Sequence, residues 1–219
     1  MTNTNIDLAT FDADGALAES GGALDGDTRG AFFKKAAIAA GGIAGSTAFL
    51  GGLPSIASAA SLPKSDVAIL NFALTLEYLE AAFYAEALKS KFAGDVGAFT
   101  RVVAAHEKAH VAFLKSALGS AAVKSPAFDF KGTTSNKAKF MATAQVLEDT
   151  GVAAYLGQAG NIKSKKILGA AASVMAVEAR HAGWIRNLNG VAGAPVSFQG
   201  SKTKAQILTA VKGTGFIVA

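Results

Sequence analysis

The stretch VEARHAGWIR, residues 177–186, sets Glu178 and His181 three residues apart in a run otherwise rich in Ala, Val, Ile and Trp. On a helix that spacing stacks the two side chains on one face, about 5–6 Å apart at Cβ. One such pair is commonplace on an ordinary helix, so its meaning rests on whether the chain repeats it. HEKAH, residues 106–110, places Glu107 and His110 in the same relation, 71 residues earlier. Glu77 stands thirty residues before Glu107, and Glu148 thirty before Glu178. Tyr84 follows Glu77 by seven residues and Tyr155 follows Glu148 by seven. The order Glu, Tyr, Glu-x-x-His therefore occurs twice in one register, as an internal structural repeat would have it.

Apolar periodicity places these residues on helices. Residues 66–90 carry Leu70, Leu74, Ala81, Tyr84 and Leu88 at three- and four-residue spacings around Glu77, which predicts helix A with Ser65 as its N-cap. A break at Ala93 and Gly94 precedes helix B, 95–118, which Gly119 ends. Residues 119–135, with Pro126, Gly132 and several Ser and Thr, read as a connection. Helix C is expected over 136–158 and helix D over 162–189, with no strand-like alternation anywhere.

Loop lengths then decide the architecture. A few residues join A to B and C to D, so each pair is antiparallel. A helix of about 25 residues is about 37 Å long, and a connection of about 16 residues reaches roughly 55 Å. The link from B to C can therefore traverse the bundle. The fold expected is all-α: a four-helix bundle with a long crossover between helices B and C, plus a short C-terminal helix opened by Thr203 and Gln206 as a capping box.

Within LEYLEAAFYAE, residues 76–86, Glu77, Glu80 and Glu86 could each face inward. The second half of the repeat has Gly151 in the place of Glu80, which favours Glu77. Glu77, Glu107, His110, Glu148, Glu178 and His181 can then meet at one height in the core. Four buried carboxylates would each cost several kcal/mol if unpaired, and two divalent cations neutralise them. Carboxylate with imidazole suits iron or manganese and leaves coordination positions open for water or oxygen species. The residues alone leave iron and manganese both open. Tyr84 and Tyr155, two turns from Glu77 and Glu148, are candidates for catalytic groups that bond ligands or pass electrons, with core packing as the ordinary alternative. His106 points about 100° away from Glu107 and reads as a surface residue or a neighbour of the ligands.

Composition removes other classes of function. The chain has 219 residues and no cysteine, which excludes disulfides, thiolate nucleophiles and cysteine-held metals. Residues 1–60 hold three basic and six acidic residues, leaving 18 basic against 10 acidic and a net charge of +8 in the remainder. The lysines there are scattered and no glycine-rich phosphate loop follows a strand, so no nucleic-acid partner is expected.

The N-terminal part runs from TRGAFFKK through the 18 uncharged residues Ala36 to Leu53 to an Ala-x-Ala at Ala57–Ala59. This order is an export-signal pattern. It resembles a twin-arginine (Tat) signal, except that Gly30 stands where the second Arg belongs. The alternative is a retained membrane anchor, since a spanning helix needs about 17–25 apolar residues. The domain reading is an export signal or retained tail over 1–60, the bundle over 61–189 and a C-terminal segment over 190–219. The expected location is periplasmic, extracellular or in the cell envelope.

LNFALTLEYLEAAFYAEAL, HEKAHVAFL, LEDTGVAAYLGQAG and EARHAGWIR, with PVSF and TKAQILTAVKGTGFIV in the tail, resemble the ferritin-like superfamily. They are most similar to the bacterial exported ferritin-like proteins often called desiccation-related. The resemblance spans roughly residues 62–218 and includes all six metal ligands of the superfamily pattern. It implies the bundle fold and a dinuclear site, for which two Fe ions are expected, with two Mn ions as the alternative; the activity expected there is oxidation of Fe(II) with O2 or H2O2, or consumption of peroxide, in protection against oxidative stress or drying. Two alternatives stand beside it: a di-manganese catalase-like enzyme, and a non-catalytic secreted structural or surface protein. Homo-oligomers and cell-surface association are compatible with each.

Overall fold

The computed structural model describes residues 62–218, and the predicted export or anchor segment, 1–60, lies outside them. Helices α1 (Lys64–Ala87), α2 (Gly94–Leu118), α3 (Lys137–Ala159) and α4 (Lys165–Leu188) are the predicted A to D, each 23–25 residues long. They form the all-α bundle with its long crossover, and the short helix α5 (Lys204–Thr214) follows. Helix α1 packs chiefly on α2 and α3 chiefly on α4, while α1 also borders α3 and α2 borders α4. Tyr84 meets Glu148 and Tyr155 meets Glu77, so α1 and α3 run antiparallel.

The crossover is tied down along α1. Asn71 accepts from the Val123 N–H and donates to the Ala121 carbonyl, at 2.8 and 2.9 Å. At the other end, Glu86 in the last turn of α1 accepts from the Thr134 hydroxyl at 2.5 Å, and Ser90, just past the helix, donates to the Thr134 carbonyl at 2.9 Å. Residues 121–134 thus climb from the level of Asn71 to that of Ser90, close to the full length of the helix. That climb lets Asn136, whose side chain accepts from Lys139 N–H at 3.0 Å, cap α3 at the far end.

Two elements differ from expectation. A two-residue strand, β1 (Ala127–Phe128), pairs antiparallel with β2 (Ile217–Val218). The pairing satisfies backbone groups that the crossover and the tail would otherwise leave bare, and it is too short to show as alternation. At the other end, Ser65 does not cap α1. Pro63 is the capping residue, with φ −54°, and its carbonyl takes Asp66 and Val67 N–H at 2.9 and 3.1 Å. Ser65 lies in the first turn and donates to Asp66 instead. Proline suits this place because its fixed φ costs nothing there and it has no N–H to leave unpaired. The tail does follow expectation: Thr203 and Gln206 form both bonds of a capping box on α5.

The interior divides into two apolar clusters. One gathers Phe83, Phe99, Phe140, Ile185 and Ile207, and the other Leu74, Leu114, Leu118, Ile167 and Val174. On every bundle helix the inward glutamates fall between residues of one cluster and residues of the other. The C-terminal segment closes over α3: Lys202 N–H donates to Ala153 at 3.1 Å, and a Cβ on Gly157 would stand 2.0 Å from the Lys202 carbonyl oxygen. Only glycine admits that approach.

Asp66 links the two helical hairpins. It is fully buried, and its carboxylate accepts from the N–H groups of Lys163 and Ser164 at 3.1 and 2.8 Å, pinning the α3–α4 turn to the start of α1. Removing it strands two backbone donors. Asp66→Ala is expected to cost about 2 kcal/mol, lowering the thermal midpoint by roughly 4–8 °C. Ser65→Ala should cost less than about 0.5 kcal/mol. Thermal unfolding followed by circular dichroism compares them, and equal losses would overturn the pinning role.

Candidate metal centre

The helical spacing brings all six expected donors together between the apolar clusters. Glu77 on α1, Glu107 on α2, Glu148 on α3 and Glu178 on α4 have no exposed surface, and His181 is 2% exposed. His110, at the edge, keeps 12% of its side chain exposed. The i,i+3 spacing on α2 and α4 aims each Glu and its His into the same gap.

The histidines organise the carboxylates into two sets. His110 Nδ1 lies 3.2 Å from Glu77 Oε2, 3.3 Å from Glu107 Oε2 and 3.1 Å from Glu178 Oε1. His181 Nδ1 lies 3.2 Å from both Glu107 Oε1 and Glu148 Oε2, and 4.0 Å from Glu178 Oε1. In each set of four, one ligand atom from every residue lies within 4.8 Å of the others: Glu77, Glu107, His110 and Glu178, then Glu107, Glu148, Glu178 and His181. Glu107 and Glu178 belong to both.

The carboxylates themselves test whether metal fits. Glu77 Oε2, Glu107 Oε1 and Glu178 Oε1 are buried with only a shared imidazole Nδ1, 3.1–3.2 Å away, to satisfy them, and Glu178 Oε2 is buried with no hydrogen-bond partner. An anionic oxygen removed from water and left without a donor is costly, and buried charges are paired or coordinate metals. Two carboxylate-rich sets with one imidazole each, sharing two carboxylates, are compatible with a dinuclear metal site.

Proton affinities in the metal-free cluster reflect the same crowding. Burial, then the neighbouring charge of Glu77, pushes the Glu107 carboxyl well above its usual range. Burial and the charges of Glu107 and Glu77 do so for Glu178. Burial also works to raise Glu77, but its hydrogen bond with His110 and that imidazolium's charge outweigh this and hold it low. Burial works against a charge on His110, yet its bonds to Glu107, Glu178 and Glu77 hold it protonated far above its usual range. One imidazolium thus stands in part where cations would.

The tyrosines cross between helices. Tyr84 on α1 donates to Glu148 Oε1 on α3, and Tyr155 on α3 donates to Glu77 Oε1 on α1 at 2.5 Å. Burial, then the adjacent carboxylate, pushes both phenols well up, so both keep their hydrogens. Each tyrosine orients the glutamate opposite by occupying one of its two oxygens.

His106 is half-buried, and its Nδ1 lies 2.8 Å from His181 Nε2, the rings stacked at 5.1 Å between centroids. For His181 Nδ1 to offer a lone pair to the cluster, its Nε2 must carry the hydrogen and donate it to His106. His106 is placed to accept that hydrogen. Asp149 and Arg186 pair with each other at 2.8 Å, Arg180 is exposed, and Trp184 packs edge-on against Phe99 at 5.3 Å.

Sequence reasoning missed Glu80. The glycine at the matching position in the second half argued against an inward Glu80, yet its side chain is only 3% exposed. Burial and the charges of Glu178 and Glu107 push its carboxyl well above its usual range. The signal was present: Glu80 is three residues from Glu77 and four from Tyr84, on the same face of α1. Glu86, the third candidate, bonds Thr134 of the crossover and does not join the cluster.

No curated protein matches the chain. The family model described as ferritin-like domain matches residues 65–191, a span that holds all four bundle helices and all six expected donors, and the chain belongs to that family.

Proposed function

We propose that the protein is a dinuclear metal carboxylate protein, with iron the favoured metal, that oxidises Fe(II) or consumes peroxide as an exported protectant against oxidative stress or desiccation. The observation that supports this best is the sharing of Glu107 and Glu178 between two donor sets. A single structural ion would need only one. Glu77 with His110 would hold one ion, Glu148 with His181 the other, and Glu107 and Glu178 would span both. A bound pair of redox-active ions supplies the electron transfer that reaction with oxygen or peroxide requires.

The chain's own residues would prepare that chemistry. Tyr84 and Tyr155 fix Glu148 and Glu77 by hydrogen bonds from their hydroxyls and keep those protons close to the centre. His106 sets the tautomer of His181. The apolar clusters on either side exclude water along the bundle axis. His106 and His110, both partly exposed, mark the side from which a small reactant would enter. Export rests on the pattern in residues 1–60, and the tie to desiccation-related proteins on the resemblance of the helices and tail.

Elemental analysis of protein isolated from its host without chelators is expected to give about two iron per chain; two manganese would move the assignment to a catalase-like enzyme. Glu107→Ala or Glu178→Ala should abolish most metal binding, because each removes a donor from both sets, and Glu86→Gln should leave it intact. Stoichiometric metal in Glu178→Ala would overturn the assignment.

Proton linkage gives a second test. Carboxyls held above their usual range, Glu107 and Glu178, stabilise the metal-free fold at low pH, and that contribution is lost as pH rises through their raised values. Protonated His110 acts in the same direction, whereas Glu77, held low, acts in the opposite one. Metal displaces these protons. The rise in thermal midpoint produced by Mn(II) is therefore expected to be larger at about pH 8 than at about pH 6. An equal rise at both would mean that the carboxyls are already ionised without metal.

A further inference from the structure

We propose that Glu80 is a seventh protein donor of the metal centre, reaching a bound ion from the α1–α3 side through the space that Gly151 leaves open. The inference rests on the dinuclear reading above and adds to it a residue outside both donor sets.

Helix geometry supplies the first argument. Glu77, Glu80 and Tyr84 form one stripe on α1, and Glu148, Gly151 and Tyr155 the matching stripe on α3. Because the helices are antiparallel, Glu77 meets Tyr155 at one end and Tyr84 meets Glu148 at the other. Glu80 and Gly151 are left facing each other in the middle, level with the cluster.

The second argument is the space itself. A Cβ on Gly151 would stand 3.3 and 3.7 Å from the two oxygens of Glu80 and 3.2 Å from Glu178 Oε2. Any side chain there would press on both carboxylates. Glu178 Oε2 is buried and has no hydrogen-bond partner, so an unpartnered carboxylate oxygen is aimed at the same point that Glu80 approaches from the other side. Two carboxylates converging on one buried place, with no donor between them, suit a cation. Glycine at 151 is then the condition for Glu80 to enter.

The test is titration of the metal-free full-length chain with Co(II), followed by calorimetry and by visible absorption, which responds to the donor set. Wild type is expected to take two ions. Glu80→Gln, close in shape, should bind one of them at least about tenfold more weakly and shift the absorption bands. Gly151→Ala should act in the same direction, and Glu86→Gln should match wild type. Wild-type affinities and bands in both Glu80→Gln and Gly151→Ala would overturn the proposal while leaving the dinuclear centre standing. A wild type that binds no Co(II), Fe(II) or Mn(II) would overturn the centre and this proposal together. Circular dichroism of the metal-free variants controls for folding. Should Glu80→Gln fail to fold, Gly151→Ala decides alone: weakened binding supports the proposal, and unchanged binding overturns it.

Discussion

The rest of this fold depends on one electrostatic constraint: Glu77, Glu80, Glu107, Glu148 and Glu178 are held almost without exposure in the middle of a four-helix bundle. Each would be costly there unpaired. The arrangement around them answers that cost piece by piece. Tyr84 and Tyr155 supply hydroxyl donors to Glu148 and Glu77, His110 and His181 stand between the carboxylates, and burial with mutual repulsion raises the proton affinities of Glu80, Glu107 and Glu178. The apolar clusters on either side then carry the packing of the helices, including the stack of Phe83 on Phe140 at 5.4 Å. The middle of the bundle is thus built for charge and its ends for cohesion.

The doubled hairpin explains why these parts meet. An antiparallel bundle of two similar hairpins brings equivalent residues together across the middle. That relation converts a spacing of seven along each chain into the crossed pairs Tyr84 with Glu148 and Tyr155 with Glu77. The long crossover is what permits it. A short link would have started α3 at the end where α2 finishes, and α1 and α3 would then have run parallel, with Glu77 level with Glu148 and each tyrosine far from its partner. The bonds from Asn71, Glu86 and Ser90 to the crossover are therefore as necessary to the site's geometry as the helices are.

Much of this could be read from residues alone, because it rests on local rules. Helical periodicity located four helices to within a few residues, loop lengths gave their directions, and the repeated Glu-x-x-His selected six residues that converge. The capping box of Thr203 and Gln206 was legible because both halves lie within one turn. What escaped depends on partners distant in sequence. The pairing of Ala127 with Val218 joins segments with no pattern of their own. His106 and His181 meet across helices, and a position about 100° from Glu107 gives no hint of it. Glu80 escaped for a different reason. The repeat was taken to make equivalent positions alike, whereas in an antiparallel pair a large residue on one helix requires a small one opposite.

That complementarity also sets the two hairpins apart. The six donors repeat faithfully, but Glu80 is answered by Gly151, and His106, moved along by the repeat of 71 residues, falls on Val177. Both departures place the polar residue in the first hairpin. His106 acts through His181, on the set containing Glu148, while Glu80 stands against Glu178, which both sets share. Four carboxylates balance the charge of two divalent ions, and a fifth leaves the donors one negative charge in excess. An excess of that sign favours ions of higher charge, as an oxidised pair would be, over the divalent pair. On the proposed reading, a centre that changes oxidation state would gain from that extra carboxylate, a charge that an ion serving only to hold the helices together would not need.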